Sequence, residues 1–332
     1  MSGKQIKVVY SEEGYHTYTG DAKRVVDVEL SKIMPLVADL GLREKIEYVL
    51  RTRGKRLRPI LVLLSAQSVG GRIETVRRLA LAIEMLHVAT LIHDDILDQD
   101  IFRRNELTVN TKWGVRDAVL VGDALASLSL YLSADYESEI VKIISRTCLL
   151  LSDGEYLDVE EAMDTRKESD YLETIRRKSA SLFKASTQCA AIAANASRDE
   201  TDALTEFGEN YGMAYQIKDD LSDIIPLEDA LPQDINEFRA NLPIIHLCES
   251  AKPEVRDELF QAIVTTKTQN PHEKETALNM LREGLESTGS LRYCTDKINQ
   301  YITNAITSLE PLKESIYKDY LVGMAGSLRL KY

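Results

Sequence analysis

Two aspartate clusters carry the clearest chemistry in this chain: Asp94-Asp95-Ile96-Leu97-Asp98 and Asp219-Asp220-Leu221-Ser222-Asp223. Each has the form DDxxD, and each lies in a stretch with helical patterning. Residues three and four apart share a helix face, so Asp94 and Asp98 point the same way, with Asp95 one turn from Asp98. Asp219, Asp220 and Asp223 repeat the arrangement. Like charges packed into one turn repel unless a cation offsets them. Hard divalent cations, chiefly Mg²⁺, prefer carboxylate oxygens, keep several waters and complete their shell with substrate phosphate. Two such clusters facing each other would clamp a diphosphate.

Basic groups stand beside the acids. Gly54-Lys55-Arg56-Leu57-Arg58-Pro59 brings three cations together, and Arg103-Arg104 follows the first cluster. Alone, each reads as a solvated surface segment. Beside two acidic clusters they fit a ligand with several phosphate oxygens, some bound by metal and others by Arg or Lys. His87 lies two turns before Asp94 on the same face, and Gln216 stands one turn before Asp219 and Asp220. Lys178-Ser179 interrupts an apolar stretch of small residues, where a lysine either snorkels to solvent or faces a pocket.

The elements that must position these residues are helices. Ile73 to Asp98 reads as one helix ending in the first cluster, and Glu200 to Ile224 as one ending in the second. Further helices are expected over Val25 to Leu40, Pro59 to Val69, Ala118 to Leu132, Glu137 to Ala162 and Ser169 to Ala194, with four or five more from Leu242 to Leu330. Pro226 to Ala240 breaks the pattern and reads as a loop or a flap. No linker divides the chain, so the expectation is a loose N-terminal segment over 1–20 and a single all-α domain over 21–332.

The chain has 332 residues, 44% of them hydrophobic, and a net charge of −12. Such acidity argues against nucleic acid as the main partner, but metal ions and local arginines still admit a phosphorylated ligand. Cys148, Cys189, Cys248 and Cys294 form no CxxC pair, which predicts free thiols. No signal-peptide pattern opens the chain and no apolar run reaches the roughly 18 residues of a membrane span, so a cytoplasmic protein without a transmembrane segment is expected.

Taken together the motifs resemble the trans-isoprenyl diphosphate synthases, the polyprenyl synthetase family that includes farnesyl, geranylgeranyl and longer-chain enzymes. The matching pieces are GKRLRP at Gly54 to Pro59, LHVATLIHDDILD at Leu86 to Asp98, Arg103-Arg104, AVLVGDAL at Ala118 to Leu125, KSASLF at Lys178 to Phe183 and YQIKDDLSD at Tyr215 to Asp223. The resemblance implies a helical bundle around a central apolar cavity, and Mg²⁺-dependent condensation of isopentenyl diphosphate with an allylic diphosphate by a homodimer. It implies three Mg²⁺ per substrate-bound site, held by Asp94, Asp95, Asp98, Asp219, Asp220 and Asp223. Lys55, Arg58, His87 and Arg104 would hold isopentenyl diphosphate, while Arg103 and Lys178 would touch the allylic diphosphate. Lys178, Ser179 and Gln216 would act at the reacting centre, with Ser179 and Gln216 lining the path of the developing cation.

The same resemblance makes the turns before Asp94 a floor that sets product length: Ala89 and Thr90, then Leu86 and Met85, then Ile83 and Ala82. Ala89 is small where short-chain members often carry an aromatic ring, which implies a product longer than farnesyl. Three departures stand out. Arg103-Arg104-Asn105-Glu106-Leu107-Thr108 replaces the usual RRGxPT, Asp158 replaces a glutamine after Gly154-Glu155, and Arg239, which the resemblance implies as a substrate-binding cation, takes the place of a lysine beyond the second cluster. A terpene cyclase and a non-catalytic subunit are the alternatives. GKRLRP speaks against the first, and the retention of all six aspartates against the second.

Overall fold

The computed structural model describes residues 11–51, 54–160, 166–224, 241–265 and 271–330. They are almost wholly helical and fall into two compact units. The first comprises residues 1–149, 182–208 and 308–324; the second comprises 150–181, 209–307 and 325–332.

The first unit holds helices α1 (Glu12–Ile33), α2 (Arg43–Arg51), α3 (Leu57–Ser68), α4 (Ile73–Leu97), α5 (Val109–Trp113) and α6 (Val115–Ser133). It also holds the start of α7 (Ser138–Glu160). Residues 12–20 are helical, where a loose segment was expected, and Ser11 caps them by accepting from the Gly14 amide at 3.0 Å. α4 is apolar around most of its circumference, with Val76, Leu79 to Ile83, Met85, Leu86, Val88, Ala89 and Ile92 all buried. A helix of that kind must be covered on several sides, and α4 packs against α1, α3 and α6. α3 is equally apolar, and its Pro59 sits in the first turn, where its missing N–H costs no helical hydrogen bond.

Between α4 and α5 lies a two-stranded antiparallel hairpin, Phe102–Arg103 (β1) with Glu106–Leu107 (β2). Arg104 and Asn105 form its turn with φ of 55° and 66°. Two central residues at positive φ give the turn whose twist matches a hairpin, and asparagine tolerates that conformation well. The chain therefore makes its loop without the glycine and proline of the family pattern.

The second unit holds the end of α7, α8 (Glu168–Ile175), a π-helical turn (Arg176–Ala180), the first residue of α9 (Ser181–Ala193) and the end of α10 (Arg198–Ile224). It continues with α11 (Leu242–Ser250), α12 (Pro253–Thr265), α13 (Pro271–Ser287) and α14 (Ser290–Ser308, in this unit to Thr307). The last helix, α15 (Ile316–Gly326), lies mainly in the first unit. α13 packs on α11 and α12, and α8 packs on α11. The single helix expected over Ser169 to Ala194 is interrupted by the π turn, a local widening of the helix that often marks functional positions.

Within the first unit, Arg56 caps α3 from a left-handed conformation (φ 55°) and turns inward. Its Nη1 pairs closely with Glu84 Oε1 on α4, and its Nη2 donates to the Leu50 carbonyl at 3.3 Å. Both side chains are buried, so removing one partner strands a charge. Glu84→Ala is expected to lower stability by about 3–5 kcal/mol in urea denaturation, and Arg56→Met with Glu84→Leu together to recover most of the loss.

Candidate active site

The first aspartate cluster occupies the last turn of α4. Asp94 and Asp98 are half-buried, whereas Asp95 is buried at 4% exposure. Asp95 Oδ1 pairs closely with Arg103 Nε, and Arg103 Nη2 reaches Asp100 Oδ2 at 3.3 Å. Burial raises the Asp95 carboxyl to about 6, with the Arg103 guanidinium opposing that rise. The hairpin that carries Arg103 is tied to the same turn by α5. Asn110 Nδ2 donates to the Asp95 and Asp100 carbonyls at 3.1 and 3.3 Å, and Thr108 Oγ1 donates to the Asp100 carbonyl at 2.7 Å.

The basic residues of this unit sort themselves by orientation. Arg56 serves the core, Lys55 is exposed, and Arg58 lies between His87 and an aromatic ring. Arg58 Nη1 donates to His87 Nε2 at 3.1 Å, and the guanidinium carbon stands 4.1 Å from the centre of the Phe183 ring. Arg104 reaches back over Gly54, so that a Cβ built there would lie 2.5 Å from Arg104 Nη1. Gly54 of GKRLRP and Arg104, 50 residues apart in sequence, are thereby brought side by side. Burial and the charges of Arg58, Arg104, Arg103 and Arg56 push the His87 imidazolium well below its ordinary range. Because a guanidinium only donates, the neutral ring accepts at Nε2 and carries its proton on Nδ1.

The second cluster divides in the same manner. On α10, Asp219 and Asp223 are exposed, one turn apart on one face, while Asp220 is 9% exposed. Tyr171 Oη donates to Asp220 Oδ2 at 2.5 Å, and Gln216 Nε2 donates to Asp220 Oδ1 at 2.7 Å. Ser179 Oγ in turn donates to Gln216 Oε1 at 2.5 Å. Both Asp220 oxygens thus accept from protein donors. Neither Tyr171 nor this connection was legible beforehand, since they lie 49 residues apart.

Lys178 sits on the π turn of the same unit. Its Nζ lies 2.9 Å from Glu155 Oε2 and 2.8 Å from Asp158 Oδ2, and Arg166 Nη1 donates to Asp158 Oδ1 at 3.1 Å. Burial by itself would raise the Asp158 carboxyl, but Lys178 and Arg166 hold it below the usual range. Gly154 makes the arrangement possible: a Cβ there would lie 2.3 Å from the Lys178 backbone nitrogen. The Gly154-Glu155 pair and Asp158, spaced along one side of α7, were the sequence signal for this pocket of charge.

Of the expected floor residues, Met85 and Ala89 join a core cluster with Ala118, Val121 and Leu125 of α6. Ile83 and Leu86 are buried as well, and the Thr90 hydroxyl donates to the His87 carbonyl at 2.8 Å. By helical spacing Ile83, His87, Thr90 and Asp94 share one face of α4, and Met85 and Ala89 lie on another. Arg239 and the stretch Pro226 to Ala240 lie outside the described residues.

Among the described residues no three acidic, histidine or cysteine side chains converge into a ready-made metal cage. Mg²⁺ is commonly held by one or two carboxylates and finishes its shell with water and phosphate. The paired acids Asp94 with Asp98 and Asp219 with Asp223 supply donors of this kind. An anion beside the Arg58–His87 pair should raise the histidine's affinity for a proton. In NMR titrations, His87 is expected to stay neutral through pH 6 to 8 and to titrate at higher pH once inorganic pyrophosphate is added. An unmoved midpoint at saturating pyrophosphate would count against an anion site there.

A sequence model of the polyprenyl synthetase family matches residues 40–281. A geranylgeranyl diphosphate synthase of Methanosarcina mazei is 32% identical, over 82% of this chain and 90% of its own. The crystal structure of a decaprenyl diphosphate synthase from Rhodobacter capsulatus superposes with a TM-score of 0.85 at 26% identity, covering 96% of this chain and 98% of its own. A polyprenyl synthase from Caulobacter crescentus, crystallised with calcium and isoprenyl diphosphate, gives 0.81 at 25% identity, over 93% of this chain and 97% of its own. The all-α fold, the paired aspartate helices and these relatives lead to one conclusion: the chain belongs to the polyprenyl synthetase family and is a prenyltransferase enzyme.

Proposed function

We propose that this enzyme condenses isopentenyl diphosphate head-to-tail with an allylic diphosphate in a Mg²⁺-dependent reaction, and that its product is longer than farnesyl diphosphate. The observation that carries the reading is the shared division of the two aspartate clusters. In each, the second acid is buried on protein donors, and the first and last stand one turn apart at the less buried face. Asp94, Asp98, Asp219 and Asp223 would hold Mg²⁺, which when bound neutralises the oxygens of the departing diphosphate. The calcium in the Caulobacter structure is another hard cation with the same preference for oxygen ligands.

The remaining work falls to the chain's own side chains. Lys55, Arg58 and Arg104 bind the isopentenyl diphosphate, and neutral His87 adds an Nδ1–H donor. Arg103 orients Asp95 and with it the last turn of α4, and Lys178, the positive partner of Glu155 and Asp158, meets the allylic diphosphate. The bond from the allylic C1 to the diphosphate oxygen breaks, and its electron pair leaves with the diphosphate. The isopentenyl double bond forms the new carbon–carbon bond to C1. A proton is then lost to the released diphosphate, leaving a chain five carbons longer. Ser179 and Gln216 line the cation's path with oxygen atoms, and buried apolar side chains exclude the water that would quench it.

For product length, the support is the small Ala89, five residues before Asp94, together with relatives named for geranylgeranyl and decaprenyl products. The exposed apolar residues of the first unit, Val115 and Tyr131 on α6 and Leu149 on α7, support a homodimer. Among the described residues no helix is long and apolar enough to cross a membrane, in keeping with a cytoplasmic enzyme.

Asp94→Ala and Asp219→Ala should each reduce isopentenyl incorporation at least about a hundredfold, the scale of one lost electrostatic contact in the transition state. Chromatography of the products from a Mg²⁺ assay checks chain length in the same experiment. Near-normal turnover in either variant would reject its metal role, and a farnesyl end point in the wild-type enzyme would reject the longer product.

A further inference from the structure

We propose that Asp220 and Tyr171 are positioning residues, a buried carboxylate–phenol pair that fixes which end of the Gln216 amide faces Ser179. The inference rests on the reading above that Ser179 and Gln216 border the allylic cation. Asp220 then serves the Gln216 amide instead of a metal ion.

Gln216 and Asp220 are one turn apart on α10, so their side chains share a face. Asp220 accepts from Gln216 Nε2 at 2.7 Å and from Tyr171 Oη at 2.5 Å, while its neighbours Asp219 and Asp223 are exposed. Tyr171 is 2% exposed, and its hydroxyl points at a carboxylate, so the phenol can only donate. Burial and the Asp220 charge push the phenol's dissociation well above its ordinary range, which keeps that proton in place.

A carboxylate only accepts, and an amide has one donating and one accepting end. Asp220 must therefore be met by the Gln216 NH₂ group, and the amide oxygen is left for Ser179. Since that oxygen only accepts, the Ser179 hydroxyl must donate to it, as the 2.5 Å contact requires. The direction of every hydrogen bond in the chain follows from the buried carboxylate. Its consequence is at the far end: Gln216 and Ser179 both present oxygen lone pairs instead of N–H or O–H groups. Oxygen dipoles favour a developing cation, and an amide turned the other way would oppose it. Ser179 also sits beside Lys178 on the π turn, so this chain and the Lys178–Glu155–Asp158 charge group are set by one backbone feature.

The test compares Asp219→Asn, Asp220→Asn and Tyr171→Phe with the wild-type enzyme. Mn²⁺ binding in the presence of inorganic pyrophosphate is followed by electron paramagnetic resonance, and kcat and KM are measured for both substrates. Asp219→Asn is expected to weaken Mn²⁺ binding. Asp220→Asn and Tyr171→Phe are expected to leave Mn²⁺ binding and both KM values unchanged while lowering kcat about tenfold, the scale of one hydrogen bond to a charged group. Loss of kcat with KM intact marks an interaction made in the transition state. Because the two residues act through one chain, the double variant should lose little more than the worse single one. Tyr171→Phe removes one oxygen atom and keeps the ring, so it serves even if Asp220→Asn fails to fold. Weakened Mn²⁺ binding in Asp220→Asn, or full kcat in Tyr171→Phe, overturns the positioning role. Absence of isopentenyl incorporation by the wild-type enzyme instead overturns the parent reading.

Discussion

Carboxylates one turn apart on a helix repel one another, and this chain carries two helix ends where three of them crowd together. The structure handles both in the same way. One acid of each cluster is drawn into the protein by strong donors: Arg103 for Asp95, and Tyr171 with Gln216 for Asp220. Hydrogen bonds to a charged group are among the stronger ones, and they make an otherwise costly burial tolerable. What remains in each cluster is a pair of acids on one face, which is the arrangement a hydrated divalent cation can use.

The positive residues obey a complementary constraint. Arginines packed near one another need anions or desolvated neutral acceptors between them. Arg56 finds Glu84, Arg103 finds Asp95 and Asp100, and Arg58 finds the uncharged His87 ring. Burial first, and the surrounding arginines after it, hold the histidine's proton affinity well below its ordinary range. A neutral ring is what lets Arg58 donate to it in so basic a neighbourhood.

Much of the fold and site was legible from the chain itself. Apolar residues around nearly the whole of α4, from Val76 to Ile92, specify a helix covered on several sides, and its end at Leu97 follows the expected boundary. α10 ends at Ile224, also as expected. The five helices from Leu242 onward, among the described residues, fall within the range anticipated. Less legible were the helix from Glu12, the hairpin of Arg104 and Asn105, and the π turn at Arg176–Ala180. Those depend on a local cap, on two positive φ angles and on close backbone approach at Gly154, none of which leaves a periodic pattern.

The sequence by itself determined the chemistry: which acids stand one turn apart, which cations precede and follow them, and that helices present them. Spacing suffices for this because helix geometry turns three or four positions into one face. Only the tertiary structure decided which member of each triplet turns inward, which arginine serves the core, and which end of Gln216 meets Asp220. Those choices are made by partners far away in sequence, such as Glu84 for Arg56 and Tyr171 for Asp220. A buried charge is tolerated only where folding delivers a matching donor or acceptor to it, and no local pattern along the chain encodes that delivery.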